Sequence, residues 1–244
     1  MKPLAQCLES VRWADSIVVL HVGEGEPAIE PGSLSYRVFR GLDAAQPVER
    51  IQQEIRTDWV LHLWGEERVG TELKEELQRL CQTTSPKASS GYRIPIRSRV
   101  LGRWVQGSLW GTSPSVRLLH EVRDLSLGWW DTECRNFKEV PGLVQAWIGD
   151  YSLAELDHGM DHVQSASDLW MSRLQAIGEA PSPGRIAKSS VHVFMRLMFM
   201  NGLFAGGLAD LTLSTLAAYA TFLSGAKLWE KRNVKEKEVR SRVP

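Results

Sequence analysis

Residues 58–69, DWVLHLWGEERV, contain the first candidates for chemistry in the chain. The apolar first half is typical of a buried strand, and Gly65, Glu66 and Glu67 follow at its carboxyl end. Two adjacent acids in that position indicate a metal or phosphate site, because divalent cations prefer carboxylate oxygens. Trp64, however, stands where such a site would want another carboxylate. The segment therefore indicates either a working acidic motif or the remains of one.

A second candidate is DHGMDH, residues 157–162. On a helix its spacing puts Asp157 with Asp161, and His158 with His162, on one face, as in some metal sites. Nothing else in the sequence supports a ligand there. We therefore expect a solvated helix face.

The elements that must position these residues alternate between helix and strand. The pattern predicts a short helix over 3–13, a buried strand over 16–22, a strand over 34–39, a helix over 45–56, a strand over 58–63 and a surface helix over 70–81. This alternation predicts an α/β fold with crossover connections. Further along, residues 91–98 read as extended, 99–145 as irregular and 153–175 as helical.

Composition excludes several classes of protein. Lys and Arg together number 29, as do Asp and Glu, so no net charge attracts nucleic acid, and we expect no nucleic-acid partner. The three cysteines, Cys7, Cys81 and Cys134, lie far apart without zinc-ligand spacing. This argues against a structural zinc site and a disulfide scaffold, and fits a reducing compartment.

The last quarter of the chain is different in character. Residues 203–224 are nearly uncharged and long enough to span a bilayer, interrupted only by Asp210. From Lys227 onward the tail holds seven basic and three acidic residues. A basic segment after an apolar helix indicates association with a cytoplasmic membrane face, spanning or interfacial. The alternative is a buried helix with a solvated tail.

Four segments, in order, carry a resemblance to a known family: CLESVRWADSIVVL (7–20), TDWVLHLWGEERV (57–69), GYRIPIRSRVLGRWV (91–105) and AAYATFLSGAKLWE (217–230). They resemble family-2 glycosyltransferases of the lipopolysaccharide-core glucosyltransferase type. The resemblance implies an α/β fold with a GT-A-like nucleotide-sugar-binding sheet and flanking helices in residues 1–180. It implies amphipathic and apolar helices with a basic tail in residues 181–244.

The resemblance also implies losses around the nucleotide. Family members open with a buried strand in the middle of the nucleotide-binding sheet, and Met1 falls after that point, so the first strand is expected to be missing. Either another segment fills the gap or the natural start lies upstream. The second strand of the family ends on a nucleotide-binding aspartate, where this chain has His21, with Glu24 or Glu26 as substitutes. His21 as a plain strand-end residue is the alternative.

The same resemblance assigns the acidic motif. The family reads Leu-Asp-Ala-Asp-Glu-Arg-Val where residues 63–69 read LWGEERV, so Trp64 replaces the first metal carboxylate and Glu66 the second. Glu66 is thereby implied as a ligand of Mg²⁺ or Mn²⁺, and Glu66 and Glu67 as the acids beside the nucleotide. Trp64 cannot ligate a metal and is expected to fill space near the base or ribose.

The resemblance further implies catalytic and substrate-binding residues. Glu133 matches a glutamate that takes the acceptor hydroxyl's proton in an inverting transfer, with Asp131 as the local alternative. Arg117 and Trp110 match residues near the sugar, while Arg103 and Trp104 are expected to contact acceptor or membrane. A structural role remains open for each of these four.

Two functions follow as expectations. The first is nucleotide-sugar-dependent inverting transfer to a glycolipid of the cell envelope, such as lipopolysaccharide, on the cytoplasmic face of the inner membrane. The protein would be peripheral or held by a single C-terminal span. The second is a catalytically inactive homologue that serves as a membrane-associated partner or scaffold. It is motivated by the missing family features, all of which would contact the nucleotide. A third possibility, a binding module unrelated to sugars, is supported only by the composition of the chain.

Overall fold

The computed structural model describes residues 3–22, 37–42, 57–83, 91–109, 113–120, 142–176, 178, 181–201 and 207–235. These residues form a mixed α/β protein, as predicted. The chain divides into two compact units: residues 1–98 with 111–151 form the first, and residues 99–110 with 152–244 form the second. The helix expected over 45–56 lies outside the described residues.

The elements, in chain order, are α1 (Pro3–Ser10), β1 (Val18–Val22), β2 (Arg37–Leu42), β3 (Trp59–Leu61), β4 (Glu67–Val69), α2 (Thr71–Thr83), β5 (Gly91–Ile94), β6 (Ile96–Val100), β7 (Arg103–Gln106), β8 (Ser115–His120), β9 (Gly142–Leu143), β10 (Ile148–Asp150), α3 (Gly159–Ala176), α4 (Pro183–Met200) and α5 (Leu208–Glu230). The strands predicted near 16–22 and 58–63, and the helices near 3–13, 70–81 and 153–175, are therefore confirmed to within a few residues.

Three strand groups organise the first unit. β1 and β2 pair in parallel, with Val18 opposite Arg37, which requires a crossover connection between them. A four-stranded sheet has the order β3-β8-β5-β9, in which β8 runs antiparallel to both β3 and β5. In the remaining group β10 lies between β4, which is antiparallel to it, and β6, which is parallel.

The expectation of irregular structure over 99–145 is wrong in part, because β7 and β8 lie there. All six residues of β8, SVRLLH, are buried. A strand covered on both faces has no alternation of apolar and polar residues. The arginine and histidine within it then made the segment look like a loop. Residues 121–141 lie outside the described part of the chain.

The core of the first unit forms where α2 packs on the strands. Leu73 and Leu77, one turn apart, are each 1% exposed, which matches the apolar spacing of a surface helix. They belong to one cluster of buried residues: Val11, Val69, Leu73, Leu77, Ile94, Ile96, Leu118, Val144 and Ile148. The Glu76 carboxylate accepts hydrogen bonds from the backbone N–H groups of Gln145 and Ala146, at 2.9 Å each. α2 thus fixes the approach to β10.

The second unit is built on three helices. Ser182 caps α4 by accepting a hydrogen bond from the Arg185 N–H at 3.4 Å, and Pro183 follows at the first helical position. A side chain on Gly225 would lie 2.8 Å from Ile186, so the start of α4 packs against the end of α5. A side chain on Gly107 would touch both Leu197 and Leu213, so the end of α4 lies near the start of α5 and the two helices are antiparallel.

α3 belongs with α4 and α5 in the second compact unit. Lys227 on α5 holds two side chains of α3, donating to Ser167 Oγ at 2.7 Å and to Asp168 Oδ1 at 2.6 Å. The DHGMDH segment lies at the start of α3, where a 3-10 turn precedes the helix, and its Asp157 and Asp161 are exposed.

The apolar stretch at 203–224 enters α5 at Leu208. Among the helices that the structure describes, none combines the length and the apolarity needed to cross a membrane. One face of α5 is buried in the second unit, with Leu213 and Leu228 fully inaccessible and Asp210 2% exposed.

Candidate functional site

The acidic motif forms a tight turn directly after β3, here called the acidic turn (residues 64–67). The Glu67 N–H donates to the Trp64 carbonyl at 3.0 Å, which closes the turn. The Glu67 side chain closes it a second time, because its Oε2 accepts from the Trp64 N–H at 2.9 Å. Cys7 on α1 also donates to the Trp64 carbonyl, at 3.4 Å. Glu67 is therefore part of the turn's own structure.

The other oxygen of Glu67 forms a buried ion pair. Arg117 on β8 donates from Nη2 to Glu67 Oε1 at 2.7 Å, and the two side chains are 4% and 0% exposed. Breaking such a pair by removing one partner is costly, because it leaves an uncompensated charge in the interior. Glu67 and Arg117, predicted to lie beside the nucleotide and the sugar, bind each other in this arrangement.

Two further groups hold the Arg117 guanidinium. Its Nε donates to Ser115 Oγ at 2.8 Å, and its Nη1 lies 3.4 Å from Nδ1 of His62. Burial lowers the pKa of His62 well below its usual range, and the positive charge of Arg117 acts in the same direction. A neutral ring can accept a hydrogen bond at Nδ1, so the histidine stabilises the guanidinium.

A second carboxylate, which the sequence did not reveal, lies next to Glu67. Asp150 on β10 is the direct antiparallel partner of Glu67 and the parallel partner of Ser98 on β6. Ser98 Oγ donates to Asp150 Oδ2 at 2.7 Å, and both residues are fully buried. The only available signal was a serine at an inward position of β6, between Ile96 and Val100.

Glu67, Ser98, Ser115, Arg117 and Asp150 form the buried polar cluster, which holds two carboxylates and one cation. Burial is the main cause that raises the pKa of Glu67, from its usual 4.5 to about 7. Arg117 and the Trp64 N–H lower this pKa, while Asp150 and Glu66 raise it. The cluster can therefore take up a proton near neutral pH, in a place that solvent does not reach.

Glu66, the predicted metal ligand, lies at the tip of the acidic turn and is half-buried. Its carbonyl accepts a hydrogen bond from the Tyr151 N–H at 3.1 Å. Within the described ranges, no three His, Cys, Asp or Glu side chains are grouped so as to hold a metal ion. To hold Mg²⁺ or Mn²⁺, Glu66 would need further oxygen ligands beside its own carboxylate.

Of the other residues predicted for the nucleotide site and the catalytic centre, the structure describes only His21. His21 is half-buried near the end of β1, beside an irregularity in the pairing with β2. Glu24, Trp110, Asp131 and Glu133 lie outside the described residues.

Arg103 and Trp104 lie on β7 in the second unit and are exposed. The Arg99 guanidinium stacks over the Trp104 ring, 5.4 Å from its centre. A side chain on Gly207 would meet Nη1 of Arg103 at 3.9 Å, so that guanidinium lies beside the start of α5. Both residues therefore present their side chains at a surface, as a contact with acceptor or membrane requires.

A surface cleft of about 480 Å³ opens between α1 and α2 in the first unit. Its lining comprises Glu9, Ser10, Arg12, Trp13, Val69, Gly70, Thr71 and Lys74. None of the residues predicted from the sequence to bind nucleotide, metal or sugar lines it.

Comparison with known proteins leaves the family unassigned. No protein-family model matches the chain, and no solved structure matches it significantly. The acidic turn and the buried polar cluster beneath it are therefore the basis for any proposal about function.

Proposed function

We propose that this protein is a glycosyltransferase-like protein of cell-envelope glycolipid biosynthesis that binds a nucleotide-diphosphate sugar at the acidic turn. The observation that carries the proposal is the position of Glu66. It follows the carboxyl end of β3 by five residues, on a turn that is closed twice by Glu67. A rigid turn with an acid at its tip suits a ligand site, because preorganised groups need no ordering when the ligand arrives.

The organisation of the strands supports the same proposal. The parallel pair β1–β2 fits an α/β nucleotide-binding sheet.

The proposed reaction is an inverting transfer. The acceptor hydroxyl attacks the anomeric carbon, a new carbon–oxygen bond forms, and the bond to the diphosphate breaks with its electron pair leaving on the diphosphate. A carboxylate takes the hydroxyl proton during the attack, and Glu133, with Asp131 as the alternative, is the candidate from the resemblance. Within this proposal Arg117 is a positioning residue, because it acts on the acidic turn through Glu67.

A specific observation favours a second candidate, a catalytically inactive homologue that serves as a membrane-associated partner or scaffold. The Trp64 ring stands edge-on to His62, with ring centres 5.2 Å apart, at the position of the first metal carboxylate. Both Glu67 oxygens are already engaged by protein groups. Of the two acids on the turn, Glu67 is therefore committed to the fold.

Titration calorimetry with a panel of nucleotide-diphosphate sugars and Mn²⁺ separates the two candidates. The proteins are the wild type, Glu66→Ala and the matched control Glu72→Ala, which removes an exposed acid from the first turn of α2. We expect metal-dependent binding that weakens roughly a hundredfold in Glu66→Ala and is unchanged in Glu72→Ala.

Three outcomes contradict nucleotide-sugar binding at this turn. They are a folded protein that binds no member of the panel, an equal loss of affinity in both variants, and binding whose affinity is the same in Glu66→Ala as in the wild type. If the folded protein binds no nucleotide sugar, the inactive scaffold is the better-supported function. Binding followed by release of nucleotide diphosphate in the presence of a glycolipid acceptor would instead contradict the scaffold.

A further inference from the structure

α5 carries an apolar stripe on its exposed side. Leu208, Leu211, Tyr219, Phe222 and Trp229 are all exposed, Leu208 by 67%. Their spacing keeps them on one face of the helix over more than five turns. The charges within this span are Asp210, which is buried, and Lys227, which binds α3. An exposed apolar surface of this length, interrupted only at Thr215, marks a contact site.

α4 adds a second apolar stripe, flanked by positive charge. Val191, Met195 and Phe199 recur every four residues and are exposed, Phe199 by 60%. The α4 sequence contains no acidic residue. Its exposed charged side chains are Arg185, Lys188 and Arg196. An apolar face bordered by cations is typical of a helix that lies in a membrane interface.

The two stripes meet at one end of the helical hairpin. Because α4 and α5 are antiparallel, Phe199 at the end of α4 and Leu208 at the start of α5 lie at the same end of the helix pair. Asn201, directly after α4, is joined to β7 by two hydrogen bonds with the Gln106 backbone, of 3.0 and 3.1 Å. The exposed Trp104 on β7 therefore belongs to the same end of the second unit.

We propose that the α4–α5 hairpin docks on an anionic phospholipid surface, with both helices lying along the headgroup layer. Charge favours this occupant over a second copy of the chain. In a dimer that packed α4 against α4, the cations would find no acidic residue on the facing helix, whereas anionic headgroups attract them. The opposite face of α5 is packed against α3 and α4, with Lys227 bound to Asp168, so only one side is presented to lipid.

This inference deepens the proposed function, since it names the surface at which a glycolipid acceptor would be met, but it does not rest on sugar transfer. Docking requires only the exposed side chains of the second unit. Failure of nucleotide binding and failure of docking are therefore separate results. Glu66→Ala is expected to dock as the wild type does.

The test is vesicle flotation of the full-length chain. Vesicles of phosphatidylcholine alone are compared with vesicles of equal parts phosphatidylcholine and phosphatidylglycerol. We expect binding to the anionic vesicles, reduced by added salt. Leu208→Ser and Phe222→Ser should each weaken partitioning about tenfold, and Lys188→Glu at least about fivefold.

Matched controls come from the first unit. Leu143→Ser removes an apolar side chain that is 51% exposed, and Arg79→Glu reverses an exposed charge on α2. Both should float within about twofold of the wild type, since neither residue belongs to the hairpin. Because all the substituted residues are exposed, every variant should keep its circular dichroism spectrum.

Three results would overturn the proposal. The first is a folded wild-type protein that does not float with either vesicle type. The second is an equal loss in the controls. The third is a concentration-dependent dimer in light scattering that Phe222→Ser abolishes while flotation is absent, which would assign the hairpin to a second copy of the chain.

Discussion

Replacing Glu67 by Gln should change how the stability of this protein depends on pH. The fold holds Glu67 with a pKa of about 7, raised chiefly by burial from its usual 4.5. The folded state therefore binds this proton more tightly than the unfolded state does. The resulting contribution to stability is full below pH 4.5 and is lost as the pH rises through about 7.

The size of the effect follows from the two pKa values. Each pH unit between 4.5 and about 7 costs about 1.4 kcal/mol, so the loss across the window totals about 3 kcal/mol. His62 works in the opposite direction, since its pKa is lowered in the fold. Its contribution is full above pH 6.5 and is lost as the pH falls below that value. The dependence of the wild-type free energy of unfolding on pH therefore combines two contributions of opposite sign. The difference in that free energy between wild type and Glu67→Gln isolates the contribution of the Glu67 carboxyl.

The measurement is urea unfolding, followed by tryptophan fluorescence, at a series of pH values from below 4.5 to above 7. Relative to Glu67→Gln, the wild type should lose about 3 kcal/mol across the series. Glu9→Gln, which removes an exposed carboxylate, serves as the control and should give a much smaller change. A difference curve for Glu67→Gln that is flat, or that rises with pH, would refute the electrostatic account of the buried polar cluster.

Three further substitutions test the packing of each unit. Above pH 7, Arg117→Met should lower the free energy of unfolding in urea by about 3–5 kcal/mol, because it leaves a buried carboxylate without its cation. Adding Glu67→Leu should restore most of that loss. Purely additive losses would contradict a coupled pair. Ser98→Ala should cost about 1–3 kcal/mol by removing the donor to Asp150, and an unchanged urea midpoint would mean that this hydrogen bond contributes nothing. Gly107→Ala should cost at least about 1 kcal/mol, since the residue has a φ of +123° and a new Cβ would lie 2.7 Å from a leucine methyl of α4; an unaltered thermal midpoint would contradict the strain.

Local sequence pattern was sufficient for several elements of this fold. The spacing of Leu73 and Leu77 predicted α2, and the Val-rich run before His21 predicted β1. The helical spacing in α2 and the continuous apolar run in β1 are both patterns that neighbouring residues alone carry. Local pattern failed at β8, where both faces are buried and no periodicity remains.

The sequence by itself also located an acidic turn after β3 and identified Trp64 as the residue that breaks the expected metal motif. It did not determine which of the two adjacent acids is fully buried. That choice was made by Arg117, fifty residues further along the chain, which draws Glu67 inward to a 2.7 Å ion pair. Asp150 and Ser98 joined the cluster through the pairing of β10 with β4 and β6. Strand pairing brings together residues that are remote in sequence, so only the tertiary structure could decide that Glu67 holds the turn from within and that Glu66 is left at its tip.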